Sequence, residues 1–467
     1  MQRKYHFIHS CKLCLLFTIL FSISVSELKS QDDFSIEGVQ KRTDELYQSK
    51  KWNELIRYGN KALEKGIDFY TLRIKLGTAY YETQKYIYAI ENLENAIESG
   101  FDDQNLLEKL YYSYLYTGRM EDADFTFTKL SESRKYKIRP LDNEFIENFN
   151  FEAGESISND ESKNGDFNLQ LNSNQYGQQT LNKNSFLLNT GLSQMPVGRF
   201  SVYYGYAYQN LQKEKIIEYN NLKSAESYDQ TQNHFYNRFD ILIDNGFVVS
   251  PAGRFISTKE NIPDVVIDSS SSSASSIMNR GSTEYTLTSS STETIIENFI
   301  LSLSVSKNIS LFKLGINGSF SFLNEEHQSQ IGALVSYFPF ANRSFYSTSN
   351  FVLHDQNSVS NLIYTQLFGG MIRKGFYIEG YATFGKVYNY NEENGYIVFN
   401  NSDATTFKFG ANLKYSVSKV IDLSLIYLNQ QRERDYEVYN IPENNIQSSQ
   451  TLYYSVNTIL AGLKVNF

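Results

Sequence analysis

Through the C-terminal two-thirds of the chain, apolar residues return at every second position in stretches about ten residues long, and this period decides what the chain can fold into. In Phe407, Phe409, Ala411, Leu413, Tyr415 and Val417 one face is apolar, while Lys408, Gly410, Asn412 and Lys414 make the other polar or small. Successive side chains on a strand point to opposite faces, so each stretch predicts a β-strand with one apolar and one polar face. The pattern recurs in Phe200 to Tyr208, Phe235 to Ile243, Phe299 to Val305, Phe312 to Phe322 and Phe376 to Phe384.

A soluble sandwich and a membrane barrel both alternate, and loop length separates them, because outer-membrane barrels join strands by short turns at one end and long loops at the other. Short connections are expected at Pro196–Arg199, Pro251–Arg254, Lys307–Asn308, Pro339–Arg343, Arg373–Gly375 and Ser418–Ile421. Long or polar ones fall between them at 211–232, 257–292, 324–327, 355–358, 387–404 and 434–450. The parity holds throughout and predicts about fourteen strands, an even number as a closed antiparallel barrel requires. The first strand is either Phe149–Ala153 or Phe167–Leu171. The chain stops at Phe467, with Val465, Leu463, Ala461 and Ile459 at alternate positions before it. This resembles the C-terminal signal of outer-membrane barrels. A secreted soluble all-β domain is the alternative.

The N-terminus fits export. Residues 1–26 carry Arg3, Lys4 and Lys12, an apolar run from Leu13 to Val25, and small residues at Ser24 and Ser26, the layout of a signal peptide; a cut after Ser30 or a retained anchor are the other readings. Beyond it no apolar run is long enough to span a bilayer as a helix. Cys11 and Cys14 both lie in this segment, so disulfide and thiol chemistry leave with it. Removing its three basic residues from 43 leaves 40 against 52 acidic ones, a net charge of −12. Nucleic-acid binding, which wants a basic face, is not expected.

From Ile36 to Arg134 the chain matches itself at an offset of 34 residues. Leu46, Tyr80 and Tyr114 align, as do Leu55, Ala89 and Ala123, and Ala62, Ala96 and Leu130. The middle repeat, with Leu76-Gly77, Tyr80, Ala89, Leu93 and Ala96, resembles a tetratricopeptide repeat, and three repeats are about the minimum that stacks into a continuous core. The alternative is an unrelated amphipathic helical domain. The resemblance implies a concave groove lined by Glu37, Asp44, Tyr47, Thr71, Thr78, Tyr81, Glu82, Glu108, Tyr112 and Tyr116, acidic and rich in tyrosine. Such a face suits a basic peptide or a sugar ring, so a periplasmic protein or glycan is the expected partner; ordinary half-exposed helix positions are the other reading.

The expected layout is therefore a multidomain α + β chain: signal peptide 1–26, tetratricopeptide-like helical repeats 27–140 in the periplasm, linker 141–165, and an outer-membrane β-barrel 166–467 in contact with lipid. Repeats ahead of a barrel are similar in architecture to exopolysaccharide-secretion porins and YaiO-type barrel proteins, although the secretion porins carry longer repeat arrays and larger barrels. On the faces opposite the apolar rows, Tyr236, Arg238, Asp240, Tyr377, Glu379, Tyr381, Lys408 and Lys414 are expected in the lumen, where mixed charges either line a pore or fill it. No phosphate-binding glycine loop, His-Glu-x-x-His or metal-spaced cluster occurs, and no cofactor is expected. Two functions stand: a channel or export component whose repeats recruit a partner, or a non-conducting anchor displaying its loops. A lesser one is an outer-leaflet hydrolase built on His354, Asp355 and Ser358.

Overall fold

The computed structural model describes residues 34–98, 103–139, 146–219, 222–243, 246–270, 284–400, 403–441 and 445–467. The proposed signal peptide, with both cysteines, lies outside them. By contact the chain divides into two units: one runs to Thr83 and adds Glu91–Phe101, and the other comprises Gln84–Ile90 and Asp102–Phe467.

Helices come first: α1 Ile36–Gln48, α2 Trp52–Glu64, α3 Tyr70–Glu82, α4 Tyr86–Glu98, α5 Gln104–Thr117, α6 Met120–Thr128 and α7 Glu132–Ile138. Ser35 caps α1 by accepting from the Gly38 amide at 3.0 Å, and α5 ends on Gly118 in the left-handed region, φ 77°. Within the first unit, α1 buries Val39, Thr43 and Leu46 on one stripe, and Gly59 and Gly77 let the helices close on Leu76 and Leu93. Positions 34 residues apart share burial: Leu55, Ala89 and Ala123 are all fully buried, as are Ala62 and Ala96.

The strands follow: β1 Asn148–Ser158, β2 Gln175–Val197, β3 Phe200–Tyr219, β4 Leu222–Ile243, β5 Phe247–Ser270, β6 Glu284–Ile309, β7 Phe312–Leu323, β8 Glu326–Tyr337, β9 Tyr346–Gln356, β10 Val359–Arg373, β11 Phe376–Val387, β12 Tyr390–Glu392, β13 Ile397–Phe399, β14 Ala404–Ser416, β15 Ile421–Asn440 and β16 Ile446–Asn466. A short helix, α8 Asp160–Asn164, lies between β1 and β2. Fourteen of the strands close an antiparallel barrel in chain order, with β1 paired to β16 along its whole length; β12 and β13 form a separate hairpin. Exposed Phe299, Leu301, Leu303, Ile316, Ile331 and Leu463 belong to its outward rows, while Asn298, Ser321, Gln328 and Lys408 are buried on the inward ones.

Several boundaries differ from expectation. The barrel starts at Asn148, within the stretch 141–165 expected as a linker: β1 occupies its middle, and Phe167–Leu171 is no strand but packs on Tyr436, Val438 and Leu452. No turn falls at Pro251–Arg254, which lies within β5; β4 ends at Ile243 and β5 begins at Phe247. Pro251 sits inside β5 at a gap in the β4–β5 ladder, where its missing N–H costs nothing and the Ser250 hydroxyl bridges to Asp240 at 2.6 Å. The turn expected at Lys307–Asn308 comes at Ser310–Leu311. The regions 211–232 and 434–450 are mostly strand, not loop, and β5 and β6, 24 and 26 residues long, extend into the Ser-rich region. The β5–β6 ladder continues there to Ser270 and Glu284.

Within the second unit, α5–α7 lie against the short-turn end of the barrel. Arg119 approaches Gly246, Arg343 approaches Gly118, and the Arg199 guanidinium stacks over Phe125 at 4.5 Å. Lys419 donates to the Lys137 carbonyl at 3.0 Å, and Arg139 pairs with Glu147, just ahead of β1, at 3.5 Å.

Candidate functional site

The polar inner face of the wall makes the lumen, and the connection between β11 and β14 folds into it. Sequence parity marks 387–404 as a long loop, and it is one, but it turns inward. Its tip, Glu393-Asn394-Gly395, adopts positive φ at all three residues, the reversal that closes the β12–β13 hairpin. Asn391 and Gly395 are buried here, so their backbone groups need partners.

The opposite wall supplies them. Arg254 on β5 donates to the carbonyls of Gly395, at 3.1 Å, and Tyr396. Ser302 on β6 donates to the Asn394 carbonyl at 2.7 Å, and Tyr236 on β4 reaches the same oxygen at 3.4 Å. The Asn394 side-chain amide also donates to the Ser304 hydroxyl at 2.7 Å. On β8, Gln330 both donates to and accepts from the Asn391 backbone, at 3.0 and 3.1 Å. Apolar contacts finish the seating. Tyr390 packs with Val352, Ile363 and Val387, and Val398 packs on Ile256, Ile300 and Leu323. The loop thus leaves one wall and is fastened to the other.

A second closure lies at the long-strand end. Asp160 of α8 pairs with Arg434 on β15 at 3.2 Å, both deeply buried, and accepts from the Asn182 amide at 2.9 Å. Beyond the end of β14, β15 turns its free edge to β2, with Glu437–Asn440 paired to Gln175–Gln178.

The expected lumen residues occupy several places around this loop. Tyr236 is buried against it, and Arg238 pairs with Asp240 at 3.0 Å. Lys408 donates to Glu392 of the loop at 2.5 Å and lies over the Tyr381 ring. Glu379 instead accepts from Tyr346, and Lys414 pairs with Asp422 at 3.1 Å, so these two stand apart from the loop's contacts. Arg254, Gln330, Ser302 and Glu392 were not among the expected residues. Arg254 was hidden by the Pro-Gly pair that reads as a turn, and its register with Tyr236 across β4–β5 is the signal that places it.

In the first unit, Glu37 lies in the opening turn of α1, Asp44 pairs with Lys75 at 2.6 Å, and the Tyr47 ring meets Trp52 at 5.5 Å; Tyr81 and Glu82 end α3. Thr71 donates to Gln40 and Thr78 is buried. In the second unit, Glu108 pairs with Arg134, and Tyr112 stacks on Tyr116 and meets Tyr111 edge-on, where burial pushes its hydroxyl up to about 12. Tyr377 begins β11. His354, Asp355 and Ser358 do not assemble. His354 is buried edge-on to Tyr390, Asp355 accepts from Ser360, and Ser358 lies in the exposed β9–β10 turn.

No protein-family model matches the sequence, and no curated relative matches it. Among solved structures, the toluene transporter TodX of P. putida is 6% identical over 71% of this chain and 92% of its own, with a TM-score of 0.41. A Pseudomonas aeruginosa FadL homologue is 8% identical over 74% and 94%, TM-score 0.38, and the translocator domain of the autotransporter NalP from Neisseria meningitidis is 8% identical over 76% and 99%, TM-score 0.30. At such values, what passes through those barrels says nothing about this one.

Proposed function

We propose that the chain is an outer-membrane transport barrel held shut by its own inward loop. The observation that carries this is the fastening of Asn391–Tyr396 to Arg254, Ser302 and Gln330 across the lumen. A wall with exposed apolar rows outside and charges inside fits a bilayer around it and water within it. The loop end would face outward and the short turns, with α5–α7, the periplasm.

The helices, on this reading, form a tetratricopeptide-type stack that recruits a periplasmic protein or glycan, supported by the shared burial at 34-residue spacing. Capture would use Glu37, Asp44, Tyr47, Tyr81 and Glu82. Export of a glycan polymer, as the likeness to secretion porins implies, would require the loop to withdraw.

A non-conducting anchor is the second reading, favoured by the pairing of Arg238, Lys408 and Lys414 with carboxylates. Planar-bilayer recordings separate the two. The full chain should be mostly silent and a variant with 389–399 replaced by a short Gly-Ser linker should conduct steadily; a silent, folded deletion variant would establish the anchor instead.

A further inference from the structure

His354 on the lumen wall is poorly placed to carry a charge where it stands. It lies near the end of β9 at 1% exposure, its ring perpendicular to that of Tyr390 on the inward loop, centroids 5.6 Å apart. Neither ring nitrogen makes a hydrogen bond, though the backbone of Tyr388 is near enough to favour a ring N–H. Val352, Ile363, Val387 and Tyr390 form the apolar cluster beside it.

The surrounding groups compensate an imidazolium only in part. On β9 itself the neighbouring carboxylate is Asp355, which stands on the outward row and takes its hydrogen bond from Ser360 at 2.7 Å. The strand partners are neutral: Gln330 on β8, engaged with the loop backbone, and Asn361 on β10. From the loop come the phenols Tyr388 and Tyr390 and the carboxylate Glu392, already paired with Lys408.

We propose that His354 is a proton-operated latch for the inward loop: the neutral ring fits beneath Tyr390, and the protonated ring drives the loop off. A buried cation without a partner of its own costs several kcal/mol, and the group gains water only when Tyr390 lifts away. The consequence is opening in acid, with the Gln330 clamp on Asn391 released in the same movement. This inference rests on reading the loop as a gate, and it is tested apart from conductance.

The experiment is hydrogen exchange of the full chain in nanodiscs at pH 7.5 and pH 5.0, corrected for intrinsic rates, on peptides covering 386–400. A free imidazole titrating near 6.5 is about thirtyfold protonated over neutral at pH 5.0, so exchange of the loop should rise by up to about thirtyfold. In His354→Phe, which keeps an aromatic ring under Tyr390, the rise should vanish; His354→Gln serves if that variant does not fold. Equal protection at both pH values in the unaltered chain, or the same acid response in a folded variant, overturns the latch. Bilayer recordings at both pH values divide the outcomes: a loop that releases in acid without conductance keeps the latch and removes the channel, whereas conductance indifferent to pH with a protected loop removes the latch alone.

Discussion

Asp160 and Arg434 face each other at 3.2 Å in the interior, one from the connection after β1 and the other from β15. Removing one partner leaves an uncompensated buried charge, a loss of about 3–5 kcal/mol. Asp160→Ala should therefore lower the urea midpoint of the detergent-solubilised protein substantially, while the double change to Asp160→Leu with Arg434→Met should recover most of it. Additive losses in the double variant would mean that the two residues do not act as a pair.

Ile331 is 66% exposed on the outer wall. In water such a position tolerates lysine within about 0.5 kcal/mol. At a bilayer midplane the same lysine costs about 2–4 kcal/mol. Ile331→Lys should thus fold normally in detergent-free tests only if the barrel is soluble; loss of heat-stable folded protein in phospholipid vesicles is the expected result, read by gel shift.

Ala89 is fully buried in α4. Ala89→Leu adds bulk to a packed contact and should cost about 1–3 kcal/mol. Tyr81, half-buried at the end of α3, should tolerate alanine far better. Thermal melts followed through Trp52, the single tryptophan, report on the helices directly.

Burial, and next the nearby Asp124, push the Glu147 carboxyl up to about 7 from an ordinary 4.5, with Arg139 opposing. The folded state therefore holds this proton more tightly than the unfolded one. Its contribution to stability is complete below 4.5 and is lost as pH rises through 7. Protection of α7 against hydrogen exchange should fall across that window in the unaltered chain and stay level in Glu147→Gln. An unchanged slope in the variant would assign the dependence to another group.

The strands were legible wherever one face is apolar and the other polar, as in Phe299 to Val305, because the contrast writes itself at every second residue. Where β3, β4 and β15 run on past such stretches the contrast ends, and Lys213 to Lys223 reads as loop although the ladder continues. The inward loop failed for another reason. Its only apolar signal is Tyr396 to Phe399, too short to announce burial, and the groups that hold it come from β4, β5, β6 and β8, far away in sequence. Arg254 was lost because Pro251 and Gly253 mimic a turn; only the ladder gap explains why a proline is tolerated there.

The pairing of β1 with β16 also sets an order of assembly. Ser156 and Thr458 share a hydrogen bond of 2.6 Å across 302 residues, whereas most other neighbouring strands are successive in the chain. Hairpins zip with little entropy to overcome, but this seam must gather nearly the whole cylinder before its first contact is rewarded. Until then both edges present unpaired amides, which invite joining to another chain and have no partner in hydrocarbon. The slowest event in the protein's biogenesis should accordingly be registry at the seam, and Ser156→Pro, which removes a donor there, should trap an open sheet rather than a loosened barrel.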